Sequence, residues 1–234
     1  MLRTGTINVE PNFPHLTMSL TIHGIAASRA IRPLWAATEL GLTFQHHPLP
    51  YQGGATRTPE FLSLNPNGHI PVVVDAREEG EVVVWESMAC ALYIARHHGQ
   101  PDGHSITPTS AREDAEALRW SFWVVNACEA DALTVLMHRL VMPVERRRPE
   151  MADAAEKRLA PRLEVLERHL AAQQAVGCPH LAAERFTVAD LCVASVVNWA
   201  RPARALMQAN PLTLLWIERC MARPAYQKAK ALPG

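Results

Sequence analysis

The sequence has few cysteines and no long apolar run. Its five cysteines are scattered over 234 residues and none stands in a C-x-x-C pair, which argues against both a disulfide framework and a zinc site. No stretch approaches ~18 uninterrupted apolar residues, so no membrane-spanning helix is expected. The amino terminus also lacks the apolar core of a signal peptide. We therefore expect a cytoplasmic protein with reduced, buried thiols and no membrane partner.

An excess of charge of either sign is also absent. Lys and Arg total 23, as do Asp and Glu, so nothing draws the whole chain toward nucleic acid or anionic lipid. We interpret the basic run 146–148, which has Glu145 and Glu150 near its ends, as a solvated loop. The histidine pairs 46–47 and 97–98 have no carboxylate or cysteine nearby at ligand spacing, so no metal site is predicted. What remains is an ordinary globular composition, 48% apolar and 20% charged.

Residues 18–100 carry the patterns of a small α/β domain. Runs rich in β-branched residues alternate with segments of helical spacing, in the order strand, helix, strand, helix, strand, strand, helix. The last two strands are separated by a charged turn and should form an antiparallel hairpin. We expect a sheet that is parallel at first and antiparallel at its edge. The predicted strands lie at 20–25, 42–49, 70–74 and 81–85, and the helices at 31–40, 58–65 and 86–98.

The rest of the chain is predicted to be helical. Residues 101–110 contain proline, glycine and serine and are predicted to form a linker, and residues 111–234 show no alternation typical of a strand. Thr187 and Asp190 form the pattern of a capping box at the start of one helix. Residues 1–17 precede the first strand and are expected to form a disordered or extended segment. The helices predicted for this second, all-α domain lie at 111–141, 150–175, 187–199 and 211–221.

Three local motifs follow one another along the first domain. They are "SRAIRPLWAATELGL" at the first strand-to-helix junction, "LNPNGHIPVVVD" where the third strand begins, and "WESMACALYIA" where the third helix begins. In this order and spacing, ahead of an all-helical domain, they resemble the cytosolic glutathione S-transferases, of a bacterial, serine-type kind, from about Ser19 to near the carboxyl terminus. The resemblance implies an α/β, thioredoxin-like domain (βαβαββα) that binds glutathione. It also implies that the all-α domain contributes a hydrophobic acceptor pocket.

Pro71 stands at the point where a strand should begin to pair. A trans proline on an edge strand would merely discourage aggregation. The family resemblance implies instead a cis peptide bond between Ile70 and Pro71, which proline permits at a cost of only ~0.5–1 kcal/mol. In that conformation the backbone N–H and C=O of Ile70 face outward. They can then pair with the cysteinyl backbone of glutathione, as an added strand pairs with a sheet edge.

Glu86 and Ser87 stand at the predicted start of a helix. A helix amino terminus offers unpaired N–H groups and a partial positive charge, which stabilise an anion. The resemblance implies that the γ-glutamyl carboxylate binds the hydroxyl and N–H of Ser87, while Glu86 faces the γ-glutamyl ammonium. Ser87 also fits an ordinary helix cap, and both roles can hold together. The resemblance places His69 near the glycyl carboxylate, where it could donate a hydrogen bond; a solvated loop histidine is the alternative.

Ser28 is the candidate for activating the glutathione thiol. A free thiol with a pKa of ~8.5 is mostly protonated at neutral pH, so a donor that stabilises the thiolate increases the reactive fraction. In the family this donor follows the first strand, and the serine-type pattern S-x-x-x-R, which ends here at Arg32, puts Ser28 at that position. A helix cap is the alternative role. The loop contains no cysteine or tyrosine, which disfavours the omega-like, beta-like and tyrosine classes, and Thr56-Arg57 departs from the family pattern.

The acceptor pocket should be lined by the first helix of the second domain. Trp120 and Trp123 are its predicted contacts, although the sequence does not identify the electrophile. The resemblance implies a detoxifying transferase, a cytoplasmic homodimer in which the thiolate of the co-substrate glutathione attacks a small hydrophobic electrophile without a metal. Two alternatives stay open. One is a non-catalytic interaction or stress-response module with the same fold, and the other is a glutathione-dependent isomerase or dehalogenase.

Overall fold

The computed structural model describes residues 19–99 and 105–233. The segment 1–17 and the first part of the linker 101–110, both named above, lie outside these described residues. The first domain contains a four-stranded sheet in the order β2-β1-β3-β4. β1 pairs parallel with β2 and β3 pairs antiparallel with β4, as predicted, and β1 and β3 are antiparallel as well. The strands are Ser19–His23 (β1), Phe44–His47 (β2), Val72–Arg77 (β3) and Gly80–Trp85 (β4).

Three helices complete this domain, and together with the strands they give the predicted βαβαββα order. The buried side chain of Ile22 on β1 shares one core with Leu34 and Ile94, whereas His23 on the opposite face of β1 lies against Phe61, with ring centroids 6.3 Å apart. Alternation along the strand therefore packs helices on both faces of the sheet. The helices are Ile31–Glu39 (α1), Pro59–Leu64 (α2) and Ser87–His97 (α3).

Every secondary-structure element of the second domain within the described residues is a helix, which confirms the predicted fold class. The helix predicted over 111–141 is one continuous helical run, but two π-helical segments, Val125–Glu129 and Met137–Val141, interrupt it. Two short helices, Arg204–Gln208 and Pro224–Lys230, were not predicted, because helices of five and seven residues carry too little periodic pattern. The helices are Ala111–Val124 (α4), Ala130–Leu136 (α5), Pro149–Ala175 (α6), Val188–Val197 (α7), Arg204–Gln208 (α8), Pro211–Met221 (α9) and Pro224–Lys230 (α10).

The two domains share a core along α1. The fully buried ring of Trp35 on α1 lies 5.6 Å from the ring of Phe186 and 4.8 Å from that of Tyr226, measured between centroids. Arg223 pairs with Glu39 at the end of the same helix. Because α1 is packed between the sheet and the helical domain, the residues at its amino terminus lie where the two domains meet.

The predicted capping box at the start of α7 is confirmed. Thr187 and Asp190 exchange both hydrogen bonds of the box. The second carboxylate oxygen of the buried Asp190 accepts from the N–H of Leu181 at 3.0 Å and from Nε1 of Trp216 at 3.1 Å. This carboxylate therefore fixes the loop before α7 as well as the helix itself.

Candidate active site

The peptide bond between Ile70 and Pro71 is cis, which confirms the conformation that the family resemblance implies. Within the part of the chain that the structure describes, the backbone N–H and C=O of Ile70 have no hydrogen-bond partner. Backbone groups of this kind are almost always paired in native proteins, with protein, water or a ligand. The Ile70 peptide groups are therefore available to an extended ligand.

A buried asparagine shapes the turn that leads into Ile70. Asn65 donates from Nδ2 to the carbonyl oxygen of His69 at 2.7 Å, and its Oδ1 accepts from the N–H of Asn67 at 3.0 Å. Gly68 in the same turn has a φ of +61°, and a Cβ built on it would lie 2.6 Å from Nη1 of Arg57. The N-P-x-G sequence thus specifies a turn that only glycine fits, and the turn sets the position of Ile70.

Gly24, at the end of β1, brings the loop that contains Ser28 close to Ile70. Its φ is +129°, and a Cβ at this position would lie 2.7 Å from Cβ of Ala30 and 3.1 Å from Cβ of Ile70. Any side chain here would push the loop and Ile70 apart. The absence of one therefore allows the amino terminus of α1 to approach the Ile70 backbone.

The hydroxyl of Ser28 is held locally. It is half-buried, donates to the carbonyl oxygen of Ile25 at 2.7 Å and accepts from the N–H of Ala30 at 3.1 Å. These contacts are those of a serine in a local turn before the helix. Ser28 does not cap α1, because the N-cap residue is Ala30 and no side chain caps this helix. Donation to a glutathione sulfur requires the O–H to turn from Ile25 toward the ligand, which a hydroxyl rotor permits.

Glu86 and Ser87 mark the start of α3, as predicted. Glu86 is exposed and is a non-glycine residue with positive φ, 71°. Such a conformation costs about 1–3 kcal/mol and clusters at functional sites. It also directs the Glu86 side chain away from the regular geometry of the helix that follows. Ser87 is the buried first residue of the helix, and its Oγ accepts a hydrogen bond from Nη1 of Arg32 at 2.6 Å.

Arg32 on α1 connects this helix start to the second domain. It is 1% exposed; Nε donates to Oγ of Ser195 at 3.0 Å and Nη2 donates to Oε1 of Glu129 at 3.0 Å. Burial lowers the pKa of Arg32, and the neighbouring Glu129 carboxylate opposes this shift. The guanidinium thus uses its planar fork to hold three side chains from three different helical segments.

Arg29 shares the Glu129 carboxylate with Arg32. Its Nε donates to the same Oε1 atom, and the guanidinium carbons of Arg29 and Arg32 lie 5.6 Å and 5.5 Å from the centroid of the Trp199 ring. The side chain of Arg29 is 45% exposed. The interface between the domains therefore holds two cations, one carboxylate and one aromatic ring. The two cations belong to residues that closely follow Ser28 in the sequence.

Glu129 was not found by sequence reasoning. It is separated from Arg32 by 97 residues, and the sequence pattern of α4 and α5 indicates only an amphipathic helix. The one signal was a carboxylate in a largely apolar stretch, "FWVVNACEADALTVL". Glu129 also ends a π-helical segment, a local irregularity that is frequent at functional sites and that periodicity does not predict.

The predicted acceptor residues Trp120 and Trp123 lie side by side on α4, with ring centroids 5.0 Å apart. Trp120 is only 5% exposed and its ring lies 4.7 Å from that of His169 on α6, in the core of the helical domain. An acceptor could reach Trp120 only through this small exposed fraction. Phe122 on the same helix is 64% exposed. The acceptor role of the two tryptophans stays a prediction, and Phe122 joins them as an accessible aromatic side chain.

His69 is exposed, beside Ile70. No group of three or more metal-ligating side chains is assembled within residues 19–99 and 105–233. No helix in the described ranges is long and apolar enough to cross a membrane.

All five cysteines are free and buried. Burial raises the pKa of Cys90 and of Cys128 to about 12 and that of Cys192 to about 11. These thiols are consequently poor nucleophiles at neutral pH.

Comparison with known proteins assigns the family. Residues 18–96 match the family model described as glutathione S-transferase, N-terminal domain, and residues 126–224 match the C-terminal domain model. Glutathione S-transferase 3 of Zea mays is 32% identical over 221 residues, which cover 91% of this chain and 93% of the relative. The bacterial relative GstB of Escherichia coli is 26% identical over 199 residues, covering 82% of this chain and 91% of its own.

A solved structure of glutathione S-transferase III in its apo form is 30% identical, covers 92% of this chain and 99% of its own, and superimposes with a TM-score of 0.73. The chain belongs to the glutathione S-transferase family.

Proposed function

We propose that this protein is a glutathione transferase that activates the glutathione thiolate for attack on a small hydrophobic electrophile. The observation that carries the proposal is the register between β3 and β4. Val72, the first residue of β3, pairs with Trp85, the last residue of β4. The chain therefore enters β3 from Ile70 and leaves β4 toward Ser87 at the same end of this strand pair. A ligand paired with the Ile70 backbone therefore has the amino terminus of α3 beside it.

Glutathione fits this arrangement group by group. The N–H and C=O of Ile70 are free for the cysteinyl backbone, in the manner of an added strand. The start of α3 supplies the Ser87 hydroxyl and unpaired N–H groups for the γ-glutamyl carboxylate, and the exposed Glu86 supplies a carboxylate for the ammonium. His69 is exposed beside Ile70 and is the proposed donor to the glycyl carboxylate.

Ser28 is the proposed activating residue. A ligand seated on Ile70 has its cysteinyl sulfur near the Ser28 loop, because Gly24 holds that loop against Ile70. Donation of the Ser28 hydroxyl to the sulfur, helped by the amino terminus of α1, stabilises the thiolate and releases its proton to solvent. The thiolate electron pair then forms a sulfur–carbon bond to the electrophile, and the leaving group departs with the electron pair of the bond that breaks.

The acceptor is proposed to lie against the helical domain, where Phe122 is exposed on α4 and Trp123 is half-buried beside it. Aromatic side chains at a partly open surface favour an apolar electrophile.

We also propose a homodimer with a cytoplasmic location. The edge strand β4 exposes Val83 and Trp85, and an unpaired apolar edge is normally covered in native proteins. The free, buried cysteines suit a reducing compartment. The proposed domain limits are 18–100 for the glutathione-binding domain and 111–234 for the helical one.

Two measurements on one preparation test the function. Calorimetric titration should show glutathione binding, and a panel of hydrophobic electrophiles should yield thioether products with consumption of glutathione. Replacement Glu86→Gln should weaken binding about tenfold through loss of a charged hydrogen bond. Glu81→Gln, an exposed carboxylate on the same strand-to-helix stretch, is the matched control and should not change binding.

Other outcomes assign the protein to the alternatives. Binding without turnover of any electrophile indicates the non-catalytic module. Turnover that regenerates glutathione indicates a glutathione-dependent isomerase or a hydrolytic dehalogenase, whereas halide release with oxidation of two glutathione molecules to the disulfide indicates a reductive dehalogenase. Absence of binding at millimolar glutathione contradicts the proposal altogether.

A further inference from the structure

Arg32 donates a hydrogen bond to Ser87, and the proposed function assigns no role to this bond. Arg32 is 1% exposed and lies directly behind the hydroxyl that should bind the γ-glutamyl carboxylate, with 2.6 Å between its Nη1 and Oγ of Ser87. A buried cation is costly unless it is paired. The buried guanidinium of Arg32 is paired by hydrogen bonds to three side chains, those of Ser87, Glu129 and Ser195.

The contact fixes the direction of the Ser87 proton. A serine hydroxyl has one O–H donor and two acceptor lone pairs. Arg32 can only donate, so it occupies a lone pair of the Ser87 oxygen. Among the described residues, no acceptor takes the Ser87 hydroxyl proton. That proton is therefore left for a ligand anion at the start of α3.

The helical domain fixes Arg32 in turn. Glu129 and Ser195 belong to the helical domain, whereas Arg32 and Ser87 belong to the first domain. Because one Glu129 oxygen serves both Arg29 and Arg32, two guanidinium groups face one carboxylate. The group of Arg29, Arg32 and Glu129 therefore carries a net positive charge beside the proposed anion site. The exposed carboxylate of Glu86 is not counted in this sum.

We propose that Arg32 is a positioning residue for the γ-glutamyl carboxylate of glutathione, which it orients through Ser87 while Glu129 and Ser195 hold it in place. The inference rests on the proposed function, since it assumes that glutathione binds at Ile70 and Ser87. Arg32 does not touch the ligand itself. If Arg32 has this role, recognition of the γ-glutamyl carboxylate depends on the packing of the helical domain against the first domain.

The test compares two thiols that differ in one group. Glutathione carries the α-carboxylate on its γ-glutamyl residue, and the γ-aminobutyryl analogue keeps the amine but lacks that carboxylate. In Arg32→Lys, the single ammonium cannot hold all three partners in the fork geometry. We expect about tenfold weaker binding of glutathione, because the hydrogen bond from Ser87 to the γ-glutamyl carboxylate is no longer well oriented. We expect binding of the analogue to change less than about twofold.

A double-mutant cycle isolates the route through Ser87. In a Ser87→Ala background, Arg32→Lys should cause no further loss of glutathione affinity, because the hydroxyl that it orients is gone. Ser63→Ala is the matched control: Ser63 lies on the exposed side of α2 and donates only to the carbonyl oxygen of Glu60. This control should bind both thiols as the wild type does.

If Arg32→Lys does not fold, Glu129→Gln and Ser195→Ala replace it, since each removes one support of Arg32 and leaves the guanidinium in place. Each should weaken glutathione binding selectively and by less than Arg32→Lys does. Equal losses for both thiols, or no loss for either, would overturn the inference. A wild-type protein that binds neither thiol would instead contradict the proposed function, so the two failures are distinguishable.

Discussion

Val72 of β3 pairs with Trp85 of β4, so the two proposed glutathione contacts, Ile70 and Ser87, adjoin the same end of this strand pair. A shift of one residue would turn every side chain of β4 to the other face and carry the start of α3 away from Ile70. The turn before β3 is therefore as important to the site as the residues that meet the ligand.

Replacement of Gly68 by alanine tests the importance of that turn. Besides the positive φ, a Cβ here would lie 2.9 Å from the backbone oxygen of Thr56. We expect Gly68→Ala to lower the free energy of unfolding by about 2–4 kcal/mol, measured by urea denaturation, and to weaken glutathione binding.

Gly41→Ala is the control for the backbone conformation alone. Gly41 has a φ of +66°, and a Cβ added there would have nothing within 4 Å. The substitution should cost only about 1 kcal/mol and leave binding unchanged. Similar losses of stability in the two variants would show that the close approach to Thr56 has no effect.

Asp75 should make the stability of the first domain sensitive to acid. Burial by itself raises the pKa of this carboxyl, but hydrogen bonds from Tyr93 at 2.7 Å, His98 at 2.8 Å and Arg77 at 2.6 Å outweigh it and lower the pKa. A lowered pKa in the folded state stabilises the protein above the unfolded-state pKa, and this contribution is lost as the pH falls through the folded-state pKa.

The corresponding variant is Asp75→Asn. At neutral pH it should reduce the free energy of unfolding by about 3 kcal/mol, because it leaves the Arg77 and His98 partners without their carboxylate. Between about pH 5 and about pH 3 its stability should fall less steeply than that of the wild type. Glu81→Gln, at an exposed position on β4, should retain the wild-type slope. Parallel curves for Asp75→Asn and the wild type would contradict the assignment.

The cysteines should be unreactive in the folded protein. Burial raises the pKa of Cys90 and Cys128 to about 12, that of Cys192 to about 11 and that of Cys220 well above its ordinary value. With a thiol reagent at neutral pH, these four residues should label slowly in the native state and rapidly in denaturant. Oxidised glutathione should form no mixed disulfide with them. Fast native labelling of any of the four would reveal a reactive thiol and favour a cysteine-based mechanism.

Local patterns in the sequence were sufficient for the fold and for part of the site. The alternation and spacing of apolar residues predicted the order of strands and helices. The cis bond before Pro71 was implied by the family resemblance that the three motifs carry, and the structure contains it. The start of α3 at Ser87 followed from the same kind of local pattern. Each of these features depends on residues close together in the chain, which is why one sequence was informative.

The contacts that join distant segments could not be predicted. Glu129 meets Arg32 only because the two domains pack along α1, and no pattern in a single sequence relates residues 97 positions apart. The two π-helical segments, one of which ends at Glu129, break the periodicity from which helices are recognised. The present bond of the Ser28 hydroxyl to Ile25 depends on the loop conformation, which the residue types do not specify.

The role of Ser28 is the central claim, and the pKa of the bound glutathione thiol tests it most directly. Ultraviolet difference spectra of the thiolate, recorded across a pH series with saturating glutathione, give this pKa for the wild type and for Ser28→Ala. Ser63→Ala serves as the matched control. We predict a thiol pKa in the wild type at least about one unit below the ordinary ~8.5, and a return toward that value in Ser28→Ala with little change in glutathione affinity. An equal thiol pKa in the two proteins would contradict the claim and leave Ser28 with only its contacts in the local turn.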